Sequence, residues 1–440
     1  MLKPFADEDS VYRLLEPVQR APSVHNTQPW YFRIAADDRI DICARFGDRA
    51  DAGFTMTGKG RLPVSAALRR ELIISCGAAL YILRLAIRVS GHDLVAWLLP
   101  GDSGPLVLAS VEIVTGRTKR PTATEQELYE AIPRRHTNRW PYDDRHPVPP
   151  PILVAMQNAA ATDGGSLRVL GRRQVRTWLR EAHRADREQR DSQGCQPDLA
   201  QWTNGGDSGV PAAAFGPPGT FGDGHHHLGR HLGRRRAHPP IRDFRPRTDP
   251  GTEEADKAER PGRQDDQGTA KTARFERRPQ LLVLSTGGDR PLDWLRAGQA
   301  LQHALLTATR YGVSVSFLTQ PLELHDARSG QGGPRQSPEN TKSPDSPGSA
   351  AGAQLLRFPV RNPGIAEAAD SGSQPLPGAE RDSGRRRLPW PWPFAEYPQM
   401  VLRVGYPTHD AVITARRDPD ILDGRTGHRM QRSRPELGAA

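Results

Sequence analysis

The sequence predicts an α+β protein made of two related halves, and three observations carry that expectation. Two long apolar helices, over 69–90 and 294–310, each end near a glycine and lead into a strand. Gly77 and Gly298 are 221 residues apart, and so are Gly91 and Gly312, which aligns Ser75-Cys-Gly-Ala-Ala-Leu80 with Arg296-Ala-Gly-Gln-Ala-Leu301. Around both helices lie short runs of β-branched and aromatic residues bounded by turn formers, the pattern of strands.

The elements follow in order. Ser10 is a candidate N-cap for a helix over 11–19, with Val11, Leu14, Leu15 and Val18 on one face. Pro17 stands inside that helix at a cost of about 3 kcal/mol, so a kink or an early end is expected. Strands follow over 30–34 and 39–44, with a turn at 36–38. The long helix over 69–90 has an apolar stripe of Leu72, Ile73, Cys76, Ala79, Leu80, Leu83 and Ile87, and Gly91 supplies a left-handed cap. Strands over 94–99 and 106–114 come next. Thr124-Glu-Gln-Glu127 fits a capping box for a short helix ending near Pro133. A helix over 152–161, a strand over 166–170 and a polar helix over 174–189 follow. Strands over 280–285, 313–318 and 400–404 complete the series, the last closing on Gly405-Tyr-Pro407.

This organisation gives a first half over 1–120 and a second over 121–440, with 217–271 and 329–388 largely insertion. The segments 217–240 and 329–387 are rich in Gly, Pro, Ser and charge, and neither can bury enough apolar surface to offset the entropy of ordering. Both are expected to be disordered. Their composition also fits out-of-frame translation of a GC-rich gene.

Of the 440 residues, 36% are hydrophobic, 42 are glycine and 41 proline, and the mean hydropathy is −0.65. No run of about 18 apolar residues stands out, so no membrane span is expected. An N-terminus without an apolar core argues against secretion, and three cysteines without CxxC spacing argue against disulfides or zinc. A reducing cytoplasm is the expected compartment. The net charge of +10 invites a nucleic-acid reading, but much of the excess lies in 230–247 and 385–387, and such tracts are more often solvated. The histidines 225–227 with His231 are not expected to form a functional metal site.

Three motifs carry chemistry. Arg20-Ala-Pro-Ser-Val-His-Asn-Thr-Gln-Pro-Trp30 holds His25, Asn26 and Gln28 on a loop between a helix and a strand. Each of these side chains can donate and accept when histidine is neutral, which suits a flat ligand edged with both kinds of group, such as a flavin. The same residue types also satisfy their own backbone in turns, so both readings stand. Arg135-His-Thr-Asn-Arg139 sets two guanidinium forks around a hydroxyl and an amide, a composition for phosphate or for a solvated turn. Gly405-Tyr-Pro407 followed by Arg416-Arg417 offers later cations. No GxGxxG after a strand, Walker loop, GxSxG or HExxH is present.

Together these motifs resemble the flavin-dependent nitroreductase superfamily, in particular its Acg-like branch, in which one chain holds two nitroreductase-like halves. The resemblance runs through Arg20–Trp30, Ser75–Leu80, Arg135–Tyr142, Asp207–Pro211, Phe275–Thr286, Ala297–Gly312 and Arg403–Arg417. It implies an intramolecular pseudo-dimer, monomeric or weakly homodimeric, with FMN between the halves. Arg135, His136, Thr137 and Arg139 would take the phosphate and ribityl positions. Pro22, Ser23, Asn26 and Gln28 would form the loop against the flavin ring, and Arg417, or else Arg416, would be the late phosphate arginine. The loop motif is missing from the second half and the arginine motif from the first, which implies one site per chain. The implied activity is ping-pong reduction of nitroaromatics or quinones by NAD(P)H, with no side chain required as acid or base. Flavin sequestration with little turnover is the alternative on the same fold, and a basic nucleic-acid-binding protein is the alternative from another class.

Overall fold

The computed structural model describes residues 5, 7–45, 66–101, 106–191, 210–211, 214, 241–243, 272–323 and 396–430, arranged as a mixed α+β fold with two main sheets. The expected insertions at 217–240 and 329–387 and the histidines at 225–227 lie outside the described residues.

The chain enters through α1 (Glu8–Leu15), whose N-cap is Asp7 rather than Ser10: the Asp7 carboxylate accepts from the Ser10 amide at 2.9 Å. Proline cannot continue the hydrogen-bond ladder, so Pro17 ends the helix and opens a tighter 3-10 turn, Pro17–Arg20. β1 (Trp30–Ala36) and β2 (Arg39–Ala44) form an antiparallel hairpin. β1 buries Trp30, Phe32 and Ile34 on one face, the alternation of a one-sided strand. Next come α2 (Ala66–Val89), β3 (His92–Leu98) and β4 (Val107–Thr118). α3 (Ala123–Ala131) takes its capping box from Thr122 and Glu125, two residues before the expected Thr124 and Glu127.

α4 (Pro150–Thr162), β5 (Ser166–Val169) and α5 (Arg172–Asp191) begin the second layer system. A small parallel pair, β6 (Ile241–Asp243) and β7 (Thr272–Arg274), stands apart. β8 (Gln280–Thr286), α6 (Pro291–Arg310), β9 (Ser314–Phe317) and β10 (Tyr397–Gly405) follow. The last strands, β11 (Ile421–Asp423) and β12 (Arg429–Met430), were not expected. They join the first sheet, where β11 runs parallel to β1 with Phe32 opposite Ile421.

The first sheet has the order β12-β11-β1-β2-β4-β3 and the second β5-β8-β10-β9. Leaving out β11 and β12, the two orders are the same: β1, β2, β4 and β3 correspond to β5, β8, β10 and β9. Every one of those pairings is antiparallel. In each sheet the long helix leaves the second of these strands, ends at a left-handed glycine (Gly91 at φ 88°, Gly312 at φ 72°), and enters the edge strand.

α2 and α6 pack against each other more extensively than any other pair of elements. Their closest approach is at Gly77 and Gly298. A Cβ on Gly77 would collide with the Leu295 carbonyl oxygen, and one on Gly298 would collide with the Ile74 carbonyl oxygen and stand 2.7 Å from the Gly77 Cα. Glycine is therefore required at both positions by a backbone crossing. The segment Leu68–Val89 of α2 is long and apolar enough to cross a membrane by length and composition, against expectation, yet 89% of its apolar window is buried within the protein.

Among the described residues three clusters form the core. One lies between the first sheet, α1, α2 and α3, and a second between the second sheet, α4 and α6. The third covers the opposite face of the second sheet, where Leu281, Val283 and Val401 pack on Trp178 of α5. β8 is thus buried on both faces, which explains its continuous apolar run.

Candidate functional site

The loop after α1 has an unusual backbone. His25, Asn26 and Gln28 all adopt positive φ (45°, 56° and 48°), a region that side chains other than glycine enter at a cost. Hydrogen bonds hold it there. The Val24 amide donates to Ser75 Oγ of α2 at 3.1 Å, and the Gln28 amide donates to Ser23 Oγ at 3.0 Å. The side-chain amides reach the C-terminal segment: Asn26 Nδ2 donates to the Ala415 carbonyl at 2.9 Å, and Gln28 Oε1 accepts from the Arg417 amide at 2.8 Å.

The second motif is fixed from below. Asn138 is buried, its backbone amide donates to the Val315 carbonyl at 3.2 Å, and its side chain donates to the His409 carbonyl at 2.8 Å. Beneath it lies a buried ion pair that the motifs did not reveal. Arg403 of β10, with no exposed surface, holds both Glu276 oxygens at 2.8 and 2.9 Å, the Trp140 carbonyl at 2.7 Å and Ser316 Oγ at 2.9 Å. Glu276 in turn accepts from the Tyr142 amide at 3.0 Å, and the Arg403 guanidinium lies 4.1 Å from the Tyr142 ring centroid. The ring also explains Gly405, because a Cβ there would come within 2.6 Å of Tyr142. The Gly405-Tyr-Pro407 and Arg135–Tyr142 motifs are thus two sides of one contact.

The pieces meet in a small cleft, open to solvent, lined by Pro22, Ser23, Asn26, Thr137, Arg139, Val210, Thr414 and Arg416. Its electrostatics are one-sided. Arg135 is buried behind it, donates from Nη2 to the Arg20 carbonyl at 2.9 Å, and has an Nε with no partner. Burial, with Arg416, Arg139 and Arg20 close by, pushes its guanidinium down to about 9. Burial and Arg20 likewise push Arg416 down to about 10. Burial, with Arg135, Arg416 and Arg20 close by, lowers His136, which favours the neutral imidazole. Among the described residues, neither Arg135 nor Arg416 has a carboxylate partner, so the site is built for an anion.

Of the residues expected from sequence, Pro22, Ser23, Asn26, Thr137 and Arg139 line the cleft. Arg135 lies behind it, and His136 is half-buried within reach of the same charges. Gln28 does not line it, because its amide is committed to Arg417. Of the two late arginines it is Arg416 that lines the cleft, with Nη1 2.8 Å from Asn26 Oδ1 and 3.0 Å from the Ala21 carbonyl. Arg417 instead turns its Nη1 to the Thr27 carbonyl at 3.3 Å. No group of three metal-ligating side chains occurs among the described residues. The sequence signal that could have exposed Arg403 is a charged residue inside the otherwise apolar strand run Met400–Val404, whereas Glu276, set between Phe275 and two arginines, carries no such signal.

No protein-family model matches the chain. It is similar to three proteins of Mycobacterium tuberculosis. One, named "Putative NAD(P)H nitroreductase acg", is 27% identical over 319 residues, covering 70% of this chain and 80% of the relative. Another bearing the name "Putative NAD(P)H nitroreductase" is 29% identical over 330 residues, 74% of this chain and 80% of the relative. A third, an uncharacterised protein, is 28% identical over 312 residues, 70% and 78% of the two chains. Over about 70% of its length the chain is thus similar to proteins named as putative NAD(P)H nitroreductases, the one named acg among them.

Proposed function

We propose that this protein binds FMN in the arginine-lined cleft and carries out NAD(P)H-dependent reduction of nitroaromatics or quinones, as a single-chain pseudo-dimer of two nitroreductase-like halves. The observation that carries the reading is convergence. Pro22, Ser23 and Asn26 meet Thr137 and Arg139 across more than 100 residues of sequence, and Arg416 completes the set. The equal strand orders and the contact of Gly77 with Gly298 support two related halves, because equivalent residues meet at a two-fold axis.

The donor set fits a phosphate. Arg135 has a buried, unpartnered Nε, its charged neighbours are cations, and Arg139 and Arg416 face the cleft. These three would hold the FMN phosphate, with the Thr137 hydroxyl as a further donor, while Pro22 and Ser23 would bound the ring. Bound flavin would supply the acceptance and release of hydride. The protein would bind, orient and shield, and its own residues need move no proton. Loop and arginine motif each occur once, so one site per chain is expected.

A covered, flavin-sequestering site is the second reading. It is favoured by the engagement of the Asn26 and Gln28 amides with residues 415–417, which ties the loop down beside the cleft. Mixing NAD(P)H with the FMN-loaded protein separates the two. Rapid bleaching of the visible flavin band, restored by a quinone, supports turnover, and a band that persists supports sequestration. A protein that stays colourless in excess FMN contradicts both.

A further inference from the structure

The outer face of α5 forms a surface that the cleft does not use. Its inner face is committed to the second sheet: Trp178, Ala182 and Ala185 are buried, and Trp178 Nε1 donates to the Leu318 carbonyl at 3.0 Å. On the opposite side Arg172, Arg173, Arg176, Arg180 and Arg184 are exposed, with His183 among them. Positions 172, 176, 180 and 184 form one row, spaced about 6 Å apart over about 18 Å of helix. Between residues 172 and 184 Glu181 is the one acidic residue, and it is half-buried at the flank.

Such a row is unfavourable by itself. A solvated helix face gains from opposite charges four residues apart, and like charges at that spacing repel. The first turn contains no acidic residue, so Arg172 and Arg173 also oppose the helix dipole. Among the described residues, Arg172, Arg173, Arg176 and Arg180 have no carboxylate partner. None of the α5 residues lines the cleft.

We propose that this face binds the phosphate backbone of double-stranded nucleic acid without sequence preference. Charge complementarity chooses the partner. A membrane-surface helix needs exposed apolar residues to insert, and here the apolar side is buried in the protein. A single-strand site needs aromatic rings on which bases stack, and the helix's one aromatic residue, Trp178, faces inward. This row lies on an ordered helix, outside the basic tracts at 230–247 and 385–387.

The test measures binding of the full chain to a random-sequence duplex by fluorescence anisotropy over a range of salt. Five phosphate contacts give a slope of log K against log salt of about −4.5. Arg176→Gln, Arg180→Gln and Arg184→Gln combined should reduce that slope by about three, with circular dichroism unchanged. If the triple variant does not fold, the single variants, each expected to lower the slope by about one, carry the test. Absence of duplex binding, binding that the variants leave unchanged, or tighter binding to anionic vesicles or to oligo(dT) overturns the proposal.

Discussion

The two sheets share one plan yet differ at their outer edges and in the loops they carry. In both, four antiparallel strands pack one face on a long helix that ends at a left-handed glycine. The first sheet alone receives β11 and β12, which return from the C-terminus to pair beside β1. The amide loop precedes β1, whereas its counterpart before β5 is the short turn Asp163-Gly-Gly165. The arginine motif lies before α4, the helix that enters the second sheet. Two sheets of like strand order thus carry two unlike loops, and the segment 406–420 joins them on its way back to β11. The cleft is lined by what differs between the sheets.

The comparison can be broken most severely at Arg403, which has no role in the first sheet. Arg403→Met leaves Glu276 buried and unpaired, and stability in urea should fall by about 3–5 kcal/mol. Arg416→Ala removes a charge that lines the cleft and should weaken FMN binding by about 1.5–3 kcal/mol, whereas Arg417→Ala should change it little. Titration of FMN fluorescence quenching measures both.

Substitutions at equivalent places test the shared plan. Gly77→Ala and Gly298→Ala should each cost about 1–3 kcal/mol, because each new methyl meets backbone across the helix crossing. Gly91→Ala and Gly312→Ala should each cost about 1 kcal/mol through positive φ alone, since nothing lies within 4 Å of either Cβ position. Unequal costs within a pair, read from urea midpoints, would count against the two-fold relation.

The smallest effect concerns pH. Burial and arginines lower His136 in the folded protein, so below the ordinary histidine value of 6.5 the unfolded chain takes up the proton more readily. The apo protein should therefore lose stability as pH falls through that range. A bound phosphate favours the imidazolium, so FMN affinity should rise over the same range, by less than about tenfold, the equivalent of one pKa unit. His136→Gln should remove both trends in thermal melts and FMN titrations.

Much of the scaffold was legible because periodicity is local. The stripe of α2, the hairpin of β1 and β2 and the two glycine caps all follow from neighbouring residues. What escaped depended on distance or on a shift of one to three residues. β11 and β12 are three and two residues long, and their place is set by pairing with β1 nearly 400 residues away. Thr122 and Thr124 both precede a glutamate by three residues, and tertiary packing chose the first. Adjacent arginines in an irregular segment point differently, which no motif decides, and so Arg416 rather than Arg417 lines the cleft. Most of the cleft's lining was legible as residue types; the commitment of Gln28 to the chain itself was not.

Flavin stoichiometry decides whether the unlike loops of the two sheets make one site per chain. Protein saturated with FMN, freed of excess and denatured by heat should release one FMN per chain, and Arg135→Ala combined with Arg139→Ala should release none. Two FMN per chain, or one FMN retained by that double variant, would contradict it.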